Sequence, residues 1–191
     1  MSAPRSVTTW YLEQRHPGAR RPARLPQPLP LLMRAEPPSP AFSRFLYTAV
    51  GGDWYWRDRL GWSEARWQAY LADPAIQTWV AYVAGTPAGY VELARQPLEG
   101  GAPGETQVEI AYFGLLPAFI GRGLGGWLLD QGLIAAWAQQ PQRVWVHTCS
   151  LDGPAALANY QARGLELYRS ETREIADPGP PDGPWPGARS V

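Results

Sequence analysis

The stretch with the clearest chemistry is residues 115–126, LLPAFIGRGLGG. An apolar run leads in, glycine stands at 121, 123, 125 and 126, and a run with helical spacing leads out. Glycine allows the tight turns through which backbone N–H groups converge, and the first turn of a helix adds partial positive charge. A strand–glycine loop–helix junction of this kind suits a phosphate or pyrophosphate. The bland alternative is a plain strand-to-helix turn, against which four glycines in six residues argue. Gly121, Gly123 and Gly126 also satisfy GxGxxG, the dinucleotide fingerprint, but three features oppose that reading. Residues 116–120 separate the expected strand from the first glycine, whereas the fingerprint turns at once. The following strand, RVWVHTC, ends without the acidic residue that holds a ribose. The motif also lies two thirds along the chain, leaving too little sequence for a full dinucleotide fold.

The composition narrows the chemistry further. All 17 basic side chains are arginine, so the chain has no phosphate-loop lysine, no kinase-type lysine and no lysine for a pyridoxal Schiff base. Any phosphate must therefore be held by backbone N–H groups and arginine. One cysteine, Cys149, excludes an internal disulfide framework and a cysteine-only zinc site, and fits a reducing compartment. A formal net charge of 0 gives no bulk attraction to nucleic acid or anionic membrane. No apolar run approaches the ~20 residues of a membrane span, and the N-terminus lacks a signal-peptide core. The expectation is a soluble, cytoplasmic protein of one ordinary domain.

These residues need a scaffold, and the patterning supplies one. Residues 6–12 are β-branched and aromatic and read as a strand, while 17–40 are broken by proline and read as irregular. Helices are expected over 41–50 and 63–72. Strands follow at 77–83 and 87–94, joined by the hairpin signal Ala84-Gly85-Thr86, and at 107–116. A helix over 123–139, a strand over 143–149, a helix over 154–163 and a strand over 165–175 complete the series. Residues 1–36 carry six arginines against two glutamates, a local charge of +4, which fits a solvated loop wrapping the surface or an arm contacting a partner. Residues 176–191, with five prolines, read as an unpaired tail. The order of elements predicts an α/β domain around one mixed sheet.

With the glycine loop and the element order in place, the chain resembles the GCN5-related N-acetyltransferase (GNAT) family. That family's central motif runs strand, proline, then [QR]xxGx[GA] opening a helix. Residues 115–125 follow it, except that Ile120 stands where glutamine or arginine is usual. A second match is Tyr160 four residues before Gly164, the YxxxG that ends the next helix in the family. The asparagine that usually opens that region is replaced here by Gly153. The resemblance covers residues 77–175 as the cofactor half. Residues 13–76 match the family's variable acceptor-side arm in element order only, with the domain as a whole spanning 1–175. It implies a mixed, mostly antiparallel central sheet flanked by helices.

The resemblance also implies chemistry: direct transfer of an acetyl group from acetyl-CoA to a primary amine of a small molecule or peptide, with no metal. Pantetheine would lie along main-chain groups near Phe113 and Leu115. The pyrophosphate would rest over Gly121, Arg122, Gly123, Leu124, Gly125 and Gly126. A base must deprotonate the amine. Glu109 comes first, on the strand where many relatives place a glutamate. His147, near the end of the next strand, comes second, and Glu92 third. Tyr160 would protonate the departing thiolate. Cys149 reads as a bystander thiol. Trp54, Trp56 and Glu92 would help line the acceptor side, where four tryptophans fall within 14 residues among Asp53, Asp58 and Glu64. Trp127, Trp137 and Trp145 are expected to face the core. A non-catalytic acyl-CoA sensor and a dinucleotide-dependent oxidoreductase remain as alternatives. Dimers being common in the family, a homodimer is an expectation as well.

Overall fold

The computed structural model describes residues 4–188; the ends of the expected domain and tail, 1–3 and 189–191, lie outside the described residues. Strand β1 (Arg5–Gln14) is followed by a 3-10 turn, Pro17–Ala19, and strand β2 (Leu31–Arg34). Helices α1 (Pro40–Gly51) and α2 (Glu64–Leu71) lead to strands β3 (Ile76–Val83), β4 (Thr86–Pro97) and β5 (Thr106–Leu115). A second 3-10 turn, Pro117–Phe119, precedes α3 (Leu124–Trp137), β6 (Arg143–Cys149), α4 (Ala156–Ala162) and β7 (Glu166–Ile175). The strands form one seven-stranded sheet in the order β2-β3-β4-β5-β6-β1-β7. Every neighbouring pair is antiparallel except β5 with β6. This is the expected mixed, mostly antiparallel sheet in a single domain.

Local chemistry explains the elements. Ser39 caps α1 by accepting the Phe42 N–H at 3.3 Å, with Pro40 at the first helical position, and Ser63 caps α2 by accepting the Arg66 N–H at 3.2 Å. Ala84 and Gly85 both have positive φ, 48° and 82°, the signature of a two-residue hairpin turn between β3 and β4. β2 corrects the expectation of an irregular 17–40. Its four residues pair with β3 at the sheet edge, but Leu31 and Met33 stay 59% and 50% exposed. Only Leu32 packs on the core, and one inward side chain in four residues imposes no alternation that sequence patterning could read.

The sheet is covered on both faces. On one, α1 buries Leu46 and Val50 against Val80 and Tyr90, and Tyr47 joins Trp67 and Leu71 of α2 in a neighbouring cluster against Ile76 and Tyr112. On the other, Leu128, Leu129 and Leu133 of α3 pack among Val91, Val108, Ile110, Val144 and Val146. Under α1 and α2 lies a buried ion pair. Arg59 Nη1 donates to Glu92 Oε1 at 2.8 Å with side-chain exposures of 8% and 2%. Tyr70 donates to the same oxygen at 2.6 Å. The Arg59 guanidinium also lies 4.3 Å from each of the Tyr70 and Tyr112 ring centres.

Both terminal segments are tied down. The arm after β1 wraps α3: Asp130, buried in the helix, accepts from Arg20 Nη1 at 2.6 Å and from the Ala23 N–H at 3.1 Å. The tail is not the unpaired segment that its composition suggests. Arg57 donates to Asp182 Oδ2 and to the carbonyls of Pro178 and Pro180, and the Gly183 N–H bonds the Gly52 carbonyl at 3.0 Å. One guanidinium with five donors replaces the backbone pairing that a proline-rich segment cannot make. No described helix is long and apolar enough to cross a membrane.

Replacing Arg59 with methionine strands the Glu92 carboxylate in the core. We expect Arg59→Met to lower unfolding free energy by about 3–5 kcal/mol in guanidinium titrations. The double substitution Arg59→Met/Glu92→Gln should recover part of that loss. Equal losses in the single and double variants would mean that packing, not the stranded charge, sets the cost.

Candidate active site

The site begins where two strands part. β5 and β6 pair only through Gln107↔Arg143, Val108↔Val144 and Glu109↔Trp145. Past Glu109 the register of β4 on β5 also shifts, leaving Ala111 as a bulge that re-aims the strand. A cavity of about 830 Å³ opens in the wedge. Residues 110–115 of β5 form one side, and His147, Thr148 and Cys149 of β6 the other. From Ile110 to Leu115, β5 keeps its partner on the β4 edge alone, so main-chain polar groups around Phe113 and Leu115 face the cavity.

The glycine loop closes one end. Gly121 and Gly123 have φ of 79° and 77°, and Gly123 is the N-cap of α3 with no side-chain cap. The first N–H groups of α3 are therefore left for solvent or a ligand. Gly121, Gly125 and Gly126 line the cavity. Leu124 is buried, so it offers backbone only. Arg122 is exposed and lies 5.3 Å from the Phe119 ring centre, outside the cavity lining. Sequence reasoning missed Arg163. Its Nη1 lies 3.5 Å from the position a Cβ on Gly126 would take, and its Nε is buried with no hydrogen-bond partner. Its only signal was a place just before Gly164 in YQARG.

Glu109 and His147 come together as a pair. His147 Nδ1 stands 3.6 Å from Glu109 Oε1, an ion-pair distance rather than a tight hydrogen bond, with side-chain exposures of 49% and 15%. Glu109 Oε2 accepts from Gln96 Nε2 at 2.7 Å. His147 lines the cavity and Glu109 lies behind it. The Glu109 carboxylate raises the imidazole pKa above its ordinary value; partial burial opposes it, and the more distant Asp152 and Asp58 reinforce it. Tyr160 is 5% exposed, lines the cavity and meets Phe113 edge-on, with ring centres 5.9 Å apart. Burial first, then the charge of Asp152, pushes its hydroxyl pKa well up, so it stays protonated. Cys149 also lines the cavity, and burial raises its thiol pKa, which disfavours the reactive thiolate.

Glu92 is a correction. It is fully engaged by Arg59 and Tyr70 in the core and does not line the cavity, so it is neither base nor acceptor contact. Trp145 is another: Val144 and Val146 take the core face of β6, and Trp145 shares the opposite face with His147, ring centres 6.0 Å apart. Trp54 and Trp56 line the cavity, with Tyr55 and Tyr112. Trp54 lies over Gly153, where a Cβ would meet it at 3.5 Å. Trp62 and Trp67 instead fill the small core around Tyr47 and Tyr70.

Comparison with known proteins agrees with this geometry. Residues 44–165, more than half of the chain, match the sequence model of the acetyltransferase (GNAT) family. Among curated protein sequences, none matches the chain significantly. A solved GNAT-family protein from Novosphingobium aromaticivorans superposes with a TM-score of 0.54 at 18% identity, covering 89% of this chain and 64% of its own. A GCN5-related N-acetyltransferase from Sphaerobacter thermophilus gives 0.57 at 15%, covering 91% and 54%. An aminoglycoside acetyltransferase from an uncultured soil metagenomic sample gives 0.59 at 15%, covering 78% and 97%. At these identities the likeness is one of fold. The chain spans less than two thirds of the length of the first two proteins.

The pairing of Glu109 with His147 gives a titration that can be followed directly. The carboxylate favours the imidazolium, so His147 should titrate above the ordinary imidazole value of about 6.5 by NMR. Glu109→Gln should move that midpoint down. A midpoint unchanged by the substitution would break the pair.

Proposed function

The chain belongs to the GNAT acetyltransferase family, and on that footing we propose that it moves the acetyl group of acetyl-CoA to a primary amine by direct attack. The observation that carries this reading is the parting of β5 from β6 beside the uncapped, glycine-rich start of α3. A long thiol cofactor with an anionic end fits that wedge. Main-chain groups near Phe113 and Leu115 would take its amide arm. The N–H groups of 124–126, with Arg163 beside them, would take its pyrophosphate. The cavity gives this reading a physical test of fit: the strand edge and the helix start both present polar groups that the protein itself leaves without partners.

In this reading His147 is the base and Glu109 is a positioning residue. With Nδ1 turned to Glu109, the basic lone pair is on Nε2. Nε2 takes a proton from the acceptor ammonium, directly or through water, and the neutral amine attacks the thioester carbonyl. The C–N bond forms, the C–S bond breaks, and the leaving thiolate takes the Tyr160 proton. The second proton of the attacking nitrogen passes through water to restore Tyr160, which leaves a neutral amide, and solvent removes the proton on His147. Proximity in the wedge and polarisation of the carbonyl supply most of the acceleration. The wall of Trp54, Tyr55, Trp56 and Tyr112 supports an acceptor that is a small molecule or peptide amine rather than a large folded surface.

Two measurements test the reading. Acetyl-CoA and CoA should raise the melting temperature, NAD should not, and Gly123→Asp should remove the CoA effect by placing a carboxylate at the helix start. Stabilisation by NAD alone would return the loop to the dinucleotide alternative. Stabilisation by acetyl-CoA without transfer to a broad amine panel would favour the sensor. The pH profile gives the second test. The base must be deprotonated, so kcat/KM should rise with pH through the raised His147 pKa. Glu109→Gln should shift that limb to lower pH with a reduced plateau. A limb that stays in place in Glu109→Gln and persists in His147→Gln would take the base role from His147.

A further inference from the structure

We propose that Asp58 anchors a second, permanently charged group of the acceptor, so that the acceptors of this chain are di- or polycationic amines. This rests on the acetyltransferase reading of the same cavity. Asp58 lies in the sequence Arg57-Asp58-Arg59, where its charge reads as neutralised by its neighbours. The fold pulls both neighbours away. Arg57 is turned to the tail, on Asp182 and the carbonyls of Pro178 and Pro180. Arg59 is turned into the core, on Glu92. Asp58 is left exposed on the cavity wall.

The carboxylate is nonetheless held in place. Tyr47 donates to Oδ1 at 2.6 Å, and the Tyr112 hydroxyl donates to Oδ2. The Arg59 backbone N–H in turn donates to the Tyr47 oxygen at 3.2 Å. Each carboxylate oxygen accepts two hydrogen bonds, so each retains a free site after its tyrosine. Two neutral donors orient the group without cancelling its charge. Burial, and then the hydrogen bond to Asp58, keep both phenols protonated.

Nothing else in the cavity competes for a cation. Among the described residues no arginine lines it, and the charged lining beside His147 is Asp58 and Asp152. Asp152 is turned on its own loop, accepting from Thr148 Oγ1 at 2.6 Å and from the Cys149 N–H at 2.9 Å. Tyr112 stands on Asp58, and Trp54 and Trp56 line the same cavity; aromatic ring faces attract a cation and their surfaces cover a methylene chain. The reacting amine must lose its proton, and a carboxylate would stabilise its unreactive ammonium form. Asp58 therefore suits a group of the acceptor that stays charged while another amine reacts at His147.

The test compares diaminobutane with its uncharged-end isostere, pentylamine, as acceptors. The expected wild-type preference in kcat/KM for the diamine is about ten- to a hundredfold, the range of a charge-assisted hydrogen bond. It should shrink as salt is raised. Asp58→Asn should bring the ratio towards one, and Tyr112→Phe should bring it partway by freeing the carboxylate. Melting curves establish that each variant is folded. Should Asp58→Asn not fold, Tyr112→Phe and the salt series decide. A ratio unchanged by substitution and salt, or a wild-type preference for pentylamine, overturns the proposal. Calorimetry with CoA present separates this from the underlying reading. Diamine binding that needs Asp58, with no acetyl transfer to either amine, keeps the anchor and sinks the transferase. Acetyl transfer without any Asp58-dependent diamine binding does the reverse.

Discussion

Three residues of parallel pairing hold the whole arrangement in tension. A parallel ladder that stops inside a sheet leaves N–H and C=O groups on both strands without their neighbour, and buried orphans of this kind cost of order 1–3 kcal/mol each. Both strands stay paired on their outer edges, β6 with β1 from Gln14↔Val144 to Thr9↔Cys149 and β5 with β4 up to Leu115, so the loss falls on the edges that face each other. The groups that lose their partners must meet water or a ligand, which is why the wedge is a cavity rather than a packed seam. The chain then leaves β5 at its open end, and the turn that brings it back delivers the start of α3 to the same opening. Strand edge and helix start are thus two sources of unpaired backbone donors converging on one space.

The opposite wall is built on a separate principle, the sorting of charges by depth. In the connection between α1 and α2, Arg59 goes inward and Arg57 outward. Glu92 waits inside for the first, and the tail covers the second. The buried pair is not there for stability alone, since ion pairs of this type roughly balance their desolvation. Its effect is positional. With Arg59 fixed beneath the rings of Tyr70 and Tyr112, the backbone at Asp58 has one orientation, and the Tyr47 hydroxyl bridges the Arg59 N–H to the Asp58 carboxylate. The tail completes the wall from outside, packing Gly183 so close to Gly52 that a Cβ there would come within 1.9 Å of its carbonyl oxygen.

Much of this was legible in the residues, and the failures have identifiable causes. Periodic elements, the hairpin at Ala84-Gly85 and the glycine loop carry local signals, and all appear where the patterning puts them. β2 carries none, because this short edge strand turns only Leu32 to the core. Glu92 misled because a carboxylate in an apolar strand has only two explanations, a site or a buried partner. The partner, Arg59, is 33 residues away. Asp58 was legible only as one of three acidic residues on the acceptor side; its flanking arginines make it look satisfied, and only the tertiary fold separates them. Trp145 was avoidable. Alternation along RVWVHTC already puts it on the face of His147 when Val144 and Val146 are inside.

The same alternation puts Glu109 and His147 on one face of the seam. Glu109 is level with Trp145 across the parallel pair, and His147 is one step of the two-residue repeat further along the same face. Two strands carrying these residues in that register cannot present them as independent groups. As the strands part, the residue at the last paired position stays behind in the sheet, where Gln96 holds it. The residue one repeat beyond reaches the open wedge. On the proposed function, position on the seam gives each residue its role: the carboxylate at the apex of the wedge orients, and the imidazole beyond it meets the substrate. A carboxylate in that place makes the imidazole a stronger base but withholds it at low pH, and partial burial of the ring counters the second effect. The carboxylate outweighs the burial, so the imidazole titrates above its ordinary value.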